Sequence, residues 1–194
     1  ERQDWVANMN DSYWLTNSAE PVTGYNSILG PEGTERSLRT RQGILQIQQR
    51  LDGTDGLGGP NLFDLENLKE IVLSGRVYSG DLAQDAVLSD LCPMAGIYDT
   101  AAACDAIRQW DSAAALSSIG LPVWKEFWGN LLKQPINFWV TPFDVNDPVN
   151  TPRGLNTSLT AVHEALHDAQ TRIEDAGLSF NATLGEQQHS GVND

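Results

Sequence analysis

The run His163-Glu164-Ala165-Leu166-His167 places two histidines and a glutamate at the spacing HExxH. On a helix the two imidazoles share one face, where they can bind zinc while the glutamate polarises a water. Glu186, 19 positions after His167, stands near the spacing at which a third, carboxylate ligand would complete the set. One reading of the chain is therefore a zinc-dependent hydrolase working through His163, Glu164, His167 and Glu186. Against it, Leu159, Val162, Leu166, Ala169, Ile173 and Ala176 form the apolar stripe of a surface helix. That leaves His163, Glu164 and His167 at its edge or on its polar side, whereas a catalytic zinc helix is buried on more of its circumference to exclude water and hold supporting groups. The expectation is no metal and no cofactor.

Three other groups carry possible chemistry. Asn8 and Asn10 stand on the same face of an extended segment, and an Asn amide offers an uncharged NH2 donor that can be aimed at a developing oxyanion. On residue types alone, Asn10-Asp11-Ser12 reads first as the cap of a turn, and Arg36, Arg39 and Arg41 as a solvated helix face. Cys92 and Cys104, the only cysteines, flank Pro93 and Gly96 between two apolar-periodic segments. That arrangement suits a disulfide closing a helix-to-helix loop, worth about 3 kcal/mol on the chain-entropy model and implying an oxidising compartment; two buried thiols are the alternative. Asp52-Gly53-Thr54-Asp55-Gly56 has the look of a calcium loop, but the twelfth position from Asp52 is Phe63 where a bidentate Glu is needed. It reads better as a helix stop, and Asp144, Asp147 and Asn150 are a weaker calcium possibility.

The elements that must position these groups follow from periodicity. Trp5 to Asn10 alternates and reads as a strand, followed by an ordered loop rich in Pro and Gly up to Gly33. Helical patterns cover Arg36–Leu51, with Leu38, Ile44, Leu45, Ile47 and Leu51 as its stripe, then Leu65–Val77, Leu82–Leu91, Thr100–Trp110, Val123–Leu132 and Leu159–Ala176. Phe138 to Phe143 reads as a strand cut short by Pro142. The end, Thr183 to Asp194, has no apolar run with which to dock. Trp110, Trp124, Phe127, Trp128 and Trp139 are expected in the core, with an acyl-chain pocket as the other use of such aromatic residues. Two strands cannot make a sheet with a buried face of useful size, so further strands are expected from elsewhere in the parent protein.

Composition narrows the classes. With 26 acidic against 12 basic residues the formal charge is −14, which repels phosphate backbones and anionic membranes, so neither nucleic acid nor membrane is an expected partner. No run of about 20 apolar residues spans a bilayer, and Glu1-Arg2-Gln3-Asp4 is not the start of a signal peptide. Any export signal is expected to have been removed or to lie off this piece.

The stretch Asn8-Met9-Asn10-Asp11-Ser12-Tyr13-Trp14-Leu15-Thr16-Asn17, then Ser37-Leu38-Arg39-Thr40-Arg41, then Gln49-Arg50-Leu51-Asp52-Gly53-Thr54-Asp55-Gly56, resembles the penicillin acylase superfamily of N-terminal nucleophile hydrolases. Within it, the similarity is to the aculeacin and acyl-homoserine lactone acylases. Ala101-Ala102-Ala103-Cys104 with Trp110-Asp111, Phe127-Trp128, Pro142-Phe143-Asp144 and Asp147-Pro148-Val149-Asn150-Thr151-Pro152-Arg153-Gly154-Leu155 follow in the same order. The resemblance implies an α+β fold, the mainly helical portion of an αββα sandwich with few strands of its own. It makes residues 1–194 a single segment of the large subunit: strand and oxyanion loop over 1–35, helical region over 36–133, and strand, loop and amphipathic helix over 134–194.

The activity so implied is removal of an acyl side chain from an amide of the acyl-homoserine lactone, lipopeptide or penicillin type. In that family the new N-terminal residue of the large subunit, usually Ser, attacks with its own α-amino group as base. Glu1 carries no hydroxyl or thiol beside its amine, and Ser12 has no free amine beside it, so the nucleophile is expected outside this chain. The resemblance assigns the oxyanion-stabilising role to Asn10, with Asn8 as rival, and a supporting role to Arg39, with Arg36 and Arg41 close enough to share the register. The partners implied are the small subunit and the nucleophile-bearing part of the large subunit, in a periplasmic or extracellular heterodimer acting on a small acylated substrate. Alone, the chain is expected to be inactive; a purely structural fragment is the non-enzymatic reading.

Overall fold

The computed structural model describes residues 4–11 and 13–188, so the expectations placed on Glu1, Ser12 and the tail from His189 lie outside the described residues. The chain forms two compact units, one of residues 1–73 and 141–153, the other of residues 74–140 and 154–194.

In the first unit, Trp5 to Asn10 is not a paired strand. Its side chains do alternate as expected, with Trp5, Ala7 and Met9 half-buried and Val6, Asn8 and Asn10 exposed. Within the unit its backbone finds one ladder-like bond, Ala7 N–H to Thr16 O at 2.9 Å. Extended residues become a strand only when a neighbour pairs with them along their length, and the described residues supply that single bond alongside. Helix α1 (Leu38–Asp52) begins where the Ser37 hydroxyl accepts from Thr40 N–H at 3.2 Å. It ends at Gly53, whose φ of 69° lets Gly53 and Thr54 N–H return to Arg50 and Gln49 carbonyls. The Asp52–Gly56 run is thus the helix stop its composition implied. Helix α2 (Leu65–Leu73) is shorter than its pattern and buries no residue.

The buried face of α1 departs from the expected stripe. Ile44 is fully buried and packs with Trp14, Leu15 and Val149, but Thr40, Arg41 and Arg50 are buried beside it, while Leu38, Leu45, Ile47 and Leu51 are only half-buried. Arg41 Nε donates to Val149 O at 2.7 Å. Arg50 pairs with Asp55 at 3.0 Å and donates to the carbonyls of Gly58 and Pro60. Irregular loops leave carbonyls without partners, and a guanidinium, which only donates, satisfies several at once. Arg36 and Arg41 are therefore not the solvated face that charge alone suggested.

The second unit is helical: α3 (Tyr78–Ala86) continued by a π-turn (Val87–Leu91), α4 (Ala95–Tyr98), α5 (Ala101–Gln109), α6 (Leu121–Leu131), α7 (Thr160–Asp175) and α8 (Leu184–Gln187). Strands β1 (Trp139–Thr141) and β2 (Arg153–Leu155) pair with each other, and Pro142 ends β1 as expected. Ala106, Ile107, Phe127, Leu131, Val162, Leu166 and Ala169 make the core between α5, α6 and α7. Trp110 and Trp124 stack at 4.8 Å inside it, which is the structural use expected of the aromatic residues. A cavity of about 500 Å³ borders Trp124 and Trp128, so part of the cluster also faces open space. Contrary to the expectation for the end of the chain, Leu184 is buried and the segment docks through Leu184 and Gly185 N–H to the Ser118 and Leu116 carbonyls. One leucine with two backbone bonds does what an apolar run was thought necessary for. Among the described residues no helix is long and apolar enough to cross a membrane.

Candidate functional site

Asn10 closes the extended segment in a left-handed conformation, φ 55°, which Asn tolerates better than most residues. The turn is held by Asn8, whose side-chain oxygen accepts from Asn10 N–H at 2.9 Å. The two asparagines therefore have different tasks: Asn8 spends its amide oxygen on the backbone, and Asn10 presents its side chain. Arg39, exposed on the first turn of α1, donates from Nη2 to Met9 O at 2.5 Å and from Nη1 to Asn10 Oδ1 at 3.4 Å. A guanidinium has nothing to accept with, so it selects the oxygen end of the amide and turns Nδ2 the other way. Among the described residues Nδ2 makes no hydrogen bond. An uncharged N–H donor, fixed at a turn and left open, is the group that oxyanion stabilisation requires.

The next residue, Asp11, ties this turn to α1. Its carboxylate accepts from Arg36 Nη1 at 2.5 Å, from Thr40 Oγ1 at 2.8 Å and, at 3.4 Å, from Ser37 N–H and Oγ. Arg36 is buried and is itself anchored by Thr34. Met9 packs so closely on Gly43 that a Cβ there would sit 2.3 Å from Met9 Cε. Of these, Asp11, Thr40 and Gly43 carry no signal of their own in the sequence, because the contacts that join the turn to α1 span 25 or more positions.

The HExxH helix tells a different story. His163 is buried, not on the polar side of α7; its ring stacks on Tyr98 at 4.2 Å and its Nε2–H donates to Thr157 O at 2.9 Å. His167 faces the Asp99 carbonyl at 3.3 Å, and Glu164 is exposed. Glu186 sits in a capping box: its carboxylate accepts from Thr183 N–H at 2.8 Å and Thr183 Oγ1 at 2.9 Å. Those bonds, the backbone one first, hold its pKa below the ordinary glutamate value. Among the described residues no three His, Cys, Asp or Glu side chains gather as a metal ion would need. The zinc reading through His163, Glu164, His167 and Glu186 is thereby corrected: tight packing has turned the histidines toward main-chain carbonyls. The carboxylates named as calcium candidates are engaged within the protein. Asp144 Oδ1 accepts from Asn146, and Asp147 accepts from Asn150 Nδ2 at 2.6 Å and pairs with Arg153. Asp90, whose carboxylate accepts from the Ser89 and Thr157 hydroxyls, is lowered in pKa by those bonds.

Cys92 and Cys104 form a disulfide, with Cα atoms 5.6 Å apart, joining the end of the π-turn to α5. The loop so closed is the one on which Tyr98 and Asp99 meet His163 and His167.

Comparison with known proteins identifies relatives along nearly the whole chain. Aculeacin-A acylase of Actinoplanes utahensis is 43% identical over 177 residues, 87% of this chain and 22% of that protein. The acyl-homoserine lactone acylase PvdQ of Pseudomonas putida is 31% identical over 198 residues, 98% of this chain and 24% of that enzyme. The chain thus spans less than a quarter of the length of either relative. A model of the penicillin amidase family matches residues 1–193, essentially the whole length, and with both the turn and the helices inside that match, the chain belongs to the penicillin amidase family.

Proposed function

We propose that these residues form one segment of the large subunit of an amidohydrolase that removes an acyl group from an amine, with Asn10 as the oxyanion donor and Arg39 as its positioning partner. In this reading the N-terminal nucleophile and the small subunit come from parts of the protein outside residues 1–194, and the extended residues 5–10 pair with strands of the family's αββα sandwich. Acyl-homoserine lactones and aculeacin A are the substrates to try first, after the names of the relatives at 31% and 43% identity, with other lipopeptides and penicillin next. The disulfide suits a periplasmic or extracellular location.

The observation that carries the reading is the orientation of the Asn10 amide. Attack on an amide carbonyl places negative charge on its oxygen, and an NH2 donor held at a turn and left open can stabilise that charge with little reorganisation. In the assembled enzyme, Asn10→Ala should lower kcat by on the order of a hundredfold or more with an unchanged melting temperature. Deacylation of an acyl-homoserine lactone, a lipopeptide and penicillin V provides the assay, and the isolated chain serves as the inactive control. Full activity of the Asn10→Ala enzyme on its best substrate would remove Asn10 from the mechanism.

A further inference from the structure

We infer that Asp11 is a positioning residue for the reaction: its carboxylate locks the Asn10 turn to the N-terminus of α1 and so sets the direction of the Asn10 amide. This rests on the reading of Asn10 given above and goes beyond it. The side chain of Asp11 is 23% exposed and Arg36 only 7%, so their 2.5 Å pair is largely withdrawn from solvent, where a charge-assisted bond is strongest. The second carboxylate oxygen takes the Thr40 hydroxyl at 2.8 Å and lies 3.4 Å from Ser37 N–H, at the positive end of a 15-residue helix.

Asn10 itself is held to α1 more weakly. Among the described residues its side-chain bond to that helix is the 3.4 Å contact with Arg39, which selects the oxygen end of the amide and leaves the finer direction to the backbone that carries it. The strong bonds lie one residue on, at Asp11, and one residue back, where Arg39 grips Met9 O at 2.5 Å. A left-handed residue between two anchored neighbours has little freedom in φ and ψ, and the side chain inherits that rigidity. Asp11 also joins Arg36 and Thr40 through separate oxygens, which fixes the carboxylate plane as well as its position. Asparagine would keep the shape but present one NH2 where an acceptor is needed, and it would leave Arg36 buried without its counter-charge.

A double-mutant cycle in the assembled enzyme tests this. Asp11→Asn should lower kcat about tenfold or more with KM little changed, whereas Asp11→Glu, which keeps the charge, should recover part of the loss. Added to Asn10→Ala, Asp11→Asn should cost nothing further in kcat, since a residue that works through Asn10 has nothing left to position. Because Arg36 is buried, Asp11→Asn is compared with Thr40→Val, which removes one bond to the same carboxylate and leaves the ion pair; a smaller loss in kcat, again absent in the Asn10→Ala background, is expected. Equal losses with and without Asn10 would overturn the inference and leave the role of Asn10 standing. Full activity of the Asn10→Ala enzyme would instead strike the reading on which it rests.

Discussion

His163 joins three parts of the second unit: it belongs to α7, stacks on Tyr98 and donates to the Thr157 carbonyl. A buried imidazole with both a ring partner and an acceptor is expensive to lose, so His163→Ala should destabilise the protein by about 2–4 kcal/mol, whereas Glu164→Gln, on an exposed side chain, should be close to neutral. Metal analysis of the same purified proteins should find no stoichiometric zinc in any of them, and a chelator should leave their melting temperatures unchanged. One zinc per chain, lost in His163→Ala, would reverse the assignment. The motif was legible in sequence but its meaning was not, because a spacing of four records only that two side chains share a helical face. What each nitrogen meets depends on Thr157 and on Asp99, and no periodicity reports a main-chain carbonyl. The Asn10 and Arg39 pair was legible for the opposite reason: the resemblance extends over both segments and links them. Arg41 looked like a solvent residue, since nothing in the sequence marks Val149 as a carbonyl in need of a donor.

At the scale of elements, the long helices were the most legible part of the fold. Thr160–Asp175 and Leu121–Leu131 follow their patterns to within a few residues because apolar side chains at helical spacing line one core. Strand β2 left no trace: Arg153-Gly154-Leu155 has neither alternation nor β-branched residues, and pairing with β1 alone makes it a strand. The extended residues before Asn10 failed in the converse way, having alternation without a neighbour. Between π-turn and α5 the disulfide closes a loop whose ends are 12 positions apart. Replacing both cysteines by alanine should cost about 3 kcal/mol, or roughly 6–12 °C in melting temperature for a chain of this size. Calorimetry of the double variant measures the loss, and peptide mapping without reductant identifies the linked pair in the parent. A melting temperature within one or two degrees of the parent would mean that the Tyr98 and Gln170 contacts, including Ala103 N–H to Gln170 Oε1 at 3.0 Å, hold the loop unaided.

At the scale of the whole molecule, the chain passes from one unit to the other three times, after residues 73, 140 and 153. Residues 141–153 belong to the first unit although 67 residues of the second precede them. They supply Val149, whose side chain packs with Trp14, Leu15 and Ile44 and whose carbonyl accepts from the buried Arg41. A protein shortened to residues 1–73 should therefore not fold: Arg41 would lose that acceptor, and the small core one of its four buried members. Circular dichroism of that fragment should show little helix, and adding a synthetic peptide of residues 141–153 should restore part of it. The second unit is interrupted in the same way. Neither half corresponds to a single stretch of gene, so recombination cannot exchange one for another by joining at a single point. Exchanging either unit intact takes more than one joining point, and the turn that presents Asn10 travels only with both segments of its unit.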